Sequence, residues 1–152
     1  MPVSRLKKTV GDLTLHFFVT IIVALVVYVD SPNLRNIFFL ALGGIFVDLD
    51  HLIDYFLFYK HRFELKKFLN CSYLDSGKVY VFLHSWEIIL FIGILGFLLR
   101  SIELTMLSLG FALHLSIDNL QRKNRFCYIL SYRMIKEFDM ETLLPEYIQS
   151  DF

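Results

Sequence analysis

The 152-residue chain carries no formal net charge, its fifteen Lys and Arg balancing fifteen Asp and Glu. A protein that grips nucleic acid through its phosphates draws on a basic excess, so the zero balance argues against a general nucleic-acid binder. Cysteine is scarce. Cys71 and Cys127 are the only two; they make no CxxC and neighbour no histidine, which leaves two reduced, unpaired thiols as the expectation. Internal repeats and low-complexity tracts are absent. A secretory signal lacks its cleavage site: Arg5, Lys7 and Lys8 precede an apolar run, but Asp30-Ser31-Pro32 follows Val29 where small residues are needed. The expectation is an uncleaved first span.

Apolar residues are abundant instead. At 56% hydrophobic and 16% aromatic, with a mean hydropathy of +0.55, the chain is more apolar than a soluble domain of its size. Four segments stand out: Leu13–Val29, Leu34–Tyr59, Val79–Leu99 and Ile102–Ile117. Each is near the roughly 17–25 residues a helix needs to cross the hydrocarbon. Four crossings are too few for a closed barrel, so helices are expected. The predicted fold is all-α: a polytopic, four-helix transmembrane bundle over residues 1–118, with a cytoplasmic interfacial tail over 119–152. The short connections Asp30–Asn33 and Arg100–Ser101 make their neighbours antiparallel. Gly43-Gly44, Gly93, Gly96 and Gly110 allow close helix contact or are ordinary membrane-helix glycines.

Charge sets the expected topology. Four spans place both termini and the central Lys60–Lys78 segment on one side. That side carries thirteen of the fifteen basic residues, and the other only Arg35 and Arg100. By the positive-inside rule the crowded side, with both termini, is cytoplasmic, in a multi-pass inner (cytoplasmic) membrane protein.

Four histidines then fall at one depth. His16 begins the first span, Asp48-Leu49-Asp50-His51 ends the second, His84-Ser85-Trp86-Glu87 begins the third, and His114-x-x-x-Asp118 ends the fourth. At 1.5 Å rise per residue from the opposite flanks, His16, Asp48, His51, His84, His114 and Asp118 lie about 20–27 Å deep, in one layer near the cytoplasmic face. Ionisable groups inside a bilayer are expensive, so such a layer marks a functional site. Its donors are those of a metal centre.

Helical facing ranks the ligands. His114 and Asp118 share a face, as do Asp48 and His51, with Tyr55 on the same stripe. Asp50 and Asp54 pair on a flanking stripe. On a continuous helix His84 and Glu87 share a face and Ser85 does not. Asp12, one turn before His16, is placed to orient its imidazole. Singly each feature has a bland reading: His16 as an interfacial polar residue, Asp48, Asp50 and Asp54 as a solvated flank, Glu87 as an interhelical partner, His61 as a solvated loop residue. Four motifs in one layer favour a metal or catalytic site.

The order His16, then Gly43-Gly44 leading into Asp48-Leu49-Asp50-His51, then His84-Ser85, then His114 with Asp118, resembles the YdjM-like membrane-bound metal-dependent hydrolase family over Asp12 to Asp118. Val47 stands where that family tends to have proline, and a His-Arg pair before His-Ser is missing unless His61-Arg62 is its displaced remnant. The arrangement is distantly similar to zinc-dependent phospholipase C. The resemblance implies metal-dependent hydrolysis. With the depth of the site, it points to a phosphoester of a membrane lipid or lipid-linked substrate. Expected metal ligands are His51, His84, His114, Asp118 and Asp48, then His16, for zinc or else manganese or iron. Asp50, Asp54 or Glu87 are expected as general base or ligand-orienting groups. The rival classes are a metal or proton transporter, which needs polar groups at the midplane, and a non-catalytic scaffold or regulator with a structural metal. The far half offers little beyond Thr20, Thr105, Ser108 and Glu103.

Overall fold

A computed structural model of the chain describes residues 2–60, 62–122 and 124–145, with side chains from residue 6. His61, Lys123 and the Arg5 side chain, all part of the charge reading, lie outside the described residues. So do residues 146–152 of the expected tail.

The described residues are helical, without a strand; one isolated bridge pairs Lys78 with Asp139. The helices are α1 (Pro2–Asp30), α2 (Leu34–Phe46), α3 (His51–Tyr59), α4 (Leu65–Leu69), α5 (Trp86–Leu98), α6 (Ile102–Gln121), α7 (Leu130–Ile135) and α8 (Met140–Leu143). Tight 3₁₀ turns occupy Val47–Asp50, Ser72–Ser76 and Arg125–Tyr128. The all-α expectation holds. Two stretches are long and apolar enough to cross a membrane, Leu6–Asp30 and Leu34–Tyr59; α5 is apolar but shorter.

The turns between long helices are set locally. Asn33 caps α2, its Oδ1 accepting from Arg35 N at 3.0 Å. Ser101 caps α6, its Oγ accepting from Leu104 N at 3.3 Å. Arg100, at φ +50°, makes the reversal between α5 and α6. In space α2 lies against α6, α1 packs on α2 and also touches α6, and α5 packs on α6.

Small residues set the α2–α6 distance. A Cβ on Gly110 would strike the Leu40 carbonyl and come within 2.8 Å of Gly44 N; one on Gly43 would come within 2.9 Å of Phe111 N. Only backbones without side chains can approach this closely. Gly96 against Thr105 brings α5 to α6 in the same way. The outer faces remain apolar and uncovered. Phe18, Ile22, Val26 and Val29 on α1, Phe38 on α2, and Leu90, Phe91, Ile94 and Phe97 on α5 are all exposed.

The structure differs from the expected spans in two places. The second is not one regular helix: Val47–Asp50 tightens into a 3₁₀ turn, which aims Asp48 and Asp50 at different neighbours. The third does not begin at Val79. Residues 79–85 form an irregular loop and the helix starts at Trp86. The apolar run Val79–Leu83 reads as helix, but distant groups take its backbone. Asp54 accepts from Tyr80 N and Val81 N, and Asp50 accepts from Leu83 N at 2.6 Å. Arg133 donates to the carbonyls of Tyr80, Val81 and His84. With both donors and acceptors satisfied, the loop is stable at low solvent exposure without helical bonds.

Residues 124–145 join this core. Cys127, Tyr128, Met140, Leu143 and Leu144 pack with Val47, Tyr55, Tyr73, Val79, Val81 and Leu115. Val79 N donates to Phe138 O and Met140 N to Gly77 O, both at 3.0 Å, tying the segment to the loop.

Candidate metal centre

Five elements deliver six side chains to one end of the bundle. His16 comes from α1, Asp48 from the 3₁₀ turn, His51 from the first residue of α3, His84 from the loop before α5, and His114 and Asp118 from α6. The centre of the cluster is Asp48 Oδ1. It lies 3.4 Å from His84 Nε2, 3.4 Å from His114 Nε2 and 3.9 Å from His51 Nε2. Asp118 closes the opposite side: its Oδ2 is 3.6 Å from His114 Nε2 and 3.9 Å from His84 Nε2, and its Oδ1 is 3.0 Å from His16 Nε2. The His16 and His114 rings stack at 3.8 Å.

His84 and His114 are 2% and 1% exposed. Their Nε2 atoms nevertheless make no hydrogen bond. The carboxylate oxygens stand within ion-pair range of them, that of Asp48 at 3.4 Å from each and that of Asp118 at 3.6 and 3.9 Å. The other ring nitrogen of each is held from behind: His114 Nδ1 lies 3.1 Å from Gly44 O, and His84 Nδ1 lies 3.4 Å from Asp50 Oδ2. Each imidazole is thus fixed through Nδ1 and presents Nε2 inward, which is how metal-ligating histidines are oriented. Buried polar atoms without partners are rare enough to need a reason. A cation between the Nε2 atoms and the Asp48 and Asp118 oxygens supplies one. Donors about 2.1 Å from a tetrahedral ion stand roughly 3.4 Å from one another, matching the Asp48 separations. Among the described residues two groups of three donors meet the distance requirement, His16 with His114 and Asp118, and Asp48 with His84 and His114. Both contain His114, so they form one cage.

The remaining expected residues surround it. Asp50 stands behind His84 rather than in the cage. Asp54 is spent on Tyr80 N and Val81 N. Glu87 faces the C-terminal segment, accepting from Leu130 N at 2.8 Å, Ser131 N at 3.0 Å and Ser131 Oγ at 2.9 Å, and from Ser85 Oγ at 2.8 Å. His84 and Glu87 do not share a helix face, because His84 precedes the helix. Tyr55 shares the stripe but bonds Arg62 O and Glu64 N through its hydroxyl. His16 Nδ1 has no partner, so Asp12 does not orient this imidazole.

Three contributors have no local signature in the sequence. Gly44 acts through its carbonyl, which any residue carries. Arg133 is 1% exposed although its surroundings in sequence are basic and amphipathic; burial presses its guanidinium below the ordinary arginine pKa. Tyr128, buried beside Asp118 and Arg122, has its phenol raised above the usual value by burial and stays protonated.

A cavity of about 100 Å³ adjoins the cage. His16, Asp48, His51 and Asp118 form its floor, and Leu13, Phe68, Leu69 and Leu74 its apolar wall, with Asp12 and Arg122 on its polar side. A smaller cavity, lined by His84, Asp118, Arg122, Tyr128 and Arg133, lies under the C-terminal segment.

The chain matches no protein-family model, no curated protein and no solved structure.

Proposed function

We propose that this protein is a membrane-embedded metal-dependent hydrolase acting on a phosphoester of a lipid or lipid-linked substrate, in keeping with the resemblance to the YdjM-like hydrolases. The observation that carries the reading is the pair of buried, unpartnered Nε2 atoms of His84 and His114 facing the Asp48 and Asp118 carboxylates. His84, His114, Asp48 and Asp118 hold the ion, with His51 and His16 at the rim. The mixed imidazole and carboxylate set suits zinc, and also manganese or iron. When bound, such an ion supplies a water of lowered pKa and polarises a phosphoryl oxygen. The protein fixes both histidine tautomers through Gly44 and Asp50, buries the donors and keeps a partly apolar cavity beside them.

In this reading α5 and α6 cross the bilayer with α1 and Leu34–Tyr59, both termini are cytoplasmic, and the cage lies at headgroup depth. The exposed apolar faces of α1, α2 and α5 support it, because soluble monomers rarely leave so much contiguous apolar surface uncovered. α5 alone reaches only about 20 Å. Its loop 79–85 must then lie at membrane level, where irregular backbone is tolerated only if buried in protein and satisfied. Asp50, Asp54 and Arg133 provide that satisfaction. The far half argues against a transporter. There Glu103 pairs with Arg35 at 3.0 Å, and Ser108 and Thr105 bond backbone carbonyls. No second ionisable cluster forms among the described residues.

The test is metal content of the detergent-purified protein, followed by turnover of a panel of lipid phosphoesters. A metal-free preparation that cannot be loaded ends the hydrolase reading. Reporter fusions at Phe152 and in the Asp30–Asn33 turn should report opposite sides of the membrane, and an extracytoplasmic Phe152 reverses the topology.

A further inference from the structure

Leu13 belongs to two surfaces at once. It lines the larger cavity beside the cage, and it is 37% exposed on α1. Val10 and Phe17 are exposed as well. Val10, Leu13 and Phe17 follow helical spacing, so they form one apolar stripe along the outside of α1. At Leu13 this stripe runs into the cavity wall.

The wall opposite α1 is α4 and the turn after it. Phe68 and Leu69 line the cavity there. The Phe68 ring lies 6.0 Å from the Tyr73 ring and 5.9 Å from the Tyr55 ring, which ties this wall to the core. Cys71 N donates to Phe68 O at 2.9 Å, and Cys71 takes φ +51°, so the chain turns back sharply after α4. The half-buried Cys71 also lines the cavity. Its Sγ meets Thr9 Oγ1 of α1 at 3.5 Å. A thiol is a weak hydrogen-bonding group, so this bond across the cleft costs little to break. On α4, Lys67 pairs with Glu64 at 2.7 Å, while Lys66 is exposed and suits the anionic headgroups of a cytoplasmic leaflet.

Resting on the hydrolase reading, we propose that the cleft between α1 and α4 is a lateral entrance for the headgroup of a phospholipid. Entry parts Thr9 from Cys71. The headgroup passes between Leu13 and Leu69 to the floor formed by His16, Asp48, His51 and Asp118. The acyl chains stay outside, on the Val10–Leu13–Phe17 stripe. A soluble phosphoester has no chain to lay there and forgoes that apolar burial, so the site takes its phosphoester from the membrane.

The experiment uses the full chain in detergent, loaded with zinc, and follows alkylation of Cys71 by N-ethylmaleimide with mass spectrometry. Cys127, which is buried, is the internal reference. Dioctanoyl phosphatidic acid at about ten times its Kd should slow Cys71 alkylation about tenfold. Glycerol phosphate at the same concentration should leave it unchanged. Leu13→Asn should keep its zinc and lose most of the lipid's protection. In a second arm, Thr9→Cys is oxidised with copper phenanthroline to bond it to Cys71. The locked protein should keep its zinc and lose most of its phosphate release from the same lipid, and dithiothreitol should restore it. Alkylation that ignores the lipid, or that glycerol phosphate slows equally, overturns the entrance and leaves the hydrolase reading standing. So does a locked protein with full turnover, and so does a Leu13→Asn protein with wild-type protection. Lipid protection in a zinc-loaded wild type that releases phosphate from no lipid overturns the hydrolase reading and leaves the cleft as a lipid-binding site.

Discussion

Asp50 and His84, thirty-four residues apart, form the contact that aims the cage. Asp50 Oδ2 accepts from Leu83 N at 2.6 Å and lies 3.4 Å from His84 Nδ1. One oxygen therefore fixes both the loop backbone and the imidazole. With Nδ1 turned to the carboxylate, Nε2 is left for the ion. Asp50→Asn keeps an acceptor for Leu83 N but weakens the hold on the Nδ1 proton. Zinc affinity should fall by about 10–100-fold, the range seen when partners behind metal-bound histidines are removed. Competition with a chelator measures it. An unchanged affinity would mean that packing alone orients His84.

His114→Ala and Asp118→Ala each remove a group from the centre of the cluster while leaving the apolar spans intact. Both proteins should insert and purify with much reduced metal. His61→Ala is the control, since His61 lies in the basic connection after α3. Metal equal to wild type in His114→Ala strikes His114 from the ligand set.

The layer of donors was legible because it depends only on helical rise and alternating direction, which survive local irregularity. Asp48 with His51, and His114 with Asp118, kept the facing that their spacing implies. The facing of His84 with Glu87 did not survive, since it required a helix through Val79–Leu83. Those residues are apolar enough to look helical. What keeps them irregular are Asp50, Asp54 and Arg133, up to 53 positions away in sequence, and no local pattern announces them. Arg133 was the most misleading residue. Among basic and aromatic neighbours it reads as a charge for the membrane surface, yet it is fully buried.

Glu87 fastens the C-terminal segment. Its carboxylate takes two backbone N–H groups at the start of α7 and two hydroxyls. Glu87→Gln turns one acceptor into a donor and should cost about 1–3 kcal/mol there. The expected signature is faster hydrogen exchange across Leu130–Ile135 with metal content unchanged. Metal loss with α7 still protected would instead place Glu87 in direct service of the cage.

Arg133 decides whether the C-terminal segment is dispensable. A surface-bound tail predicts that deleting Phe126–Phe152 lowers turnover and leaves the metal. The structure predicts otherwise, because the guanidinium satisfies three carbonyls of the loop that carries His84. Arg133→Ala leaves those acceptors buried and unpaired, at a cost of about 3 kcal/mol or more. Arg133→Lys keeps the charge but not the planar fork, so it should recover only part of the loss. Thermal unfolding and zinc content should fall together in Arg133→Ala, partly return in Arg133→Lys, and fall most in the deletion. A deletion protein with full zinc would show that the loop holds His84 in place through Asp50 and Asp54 alone.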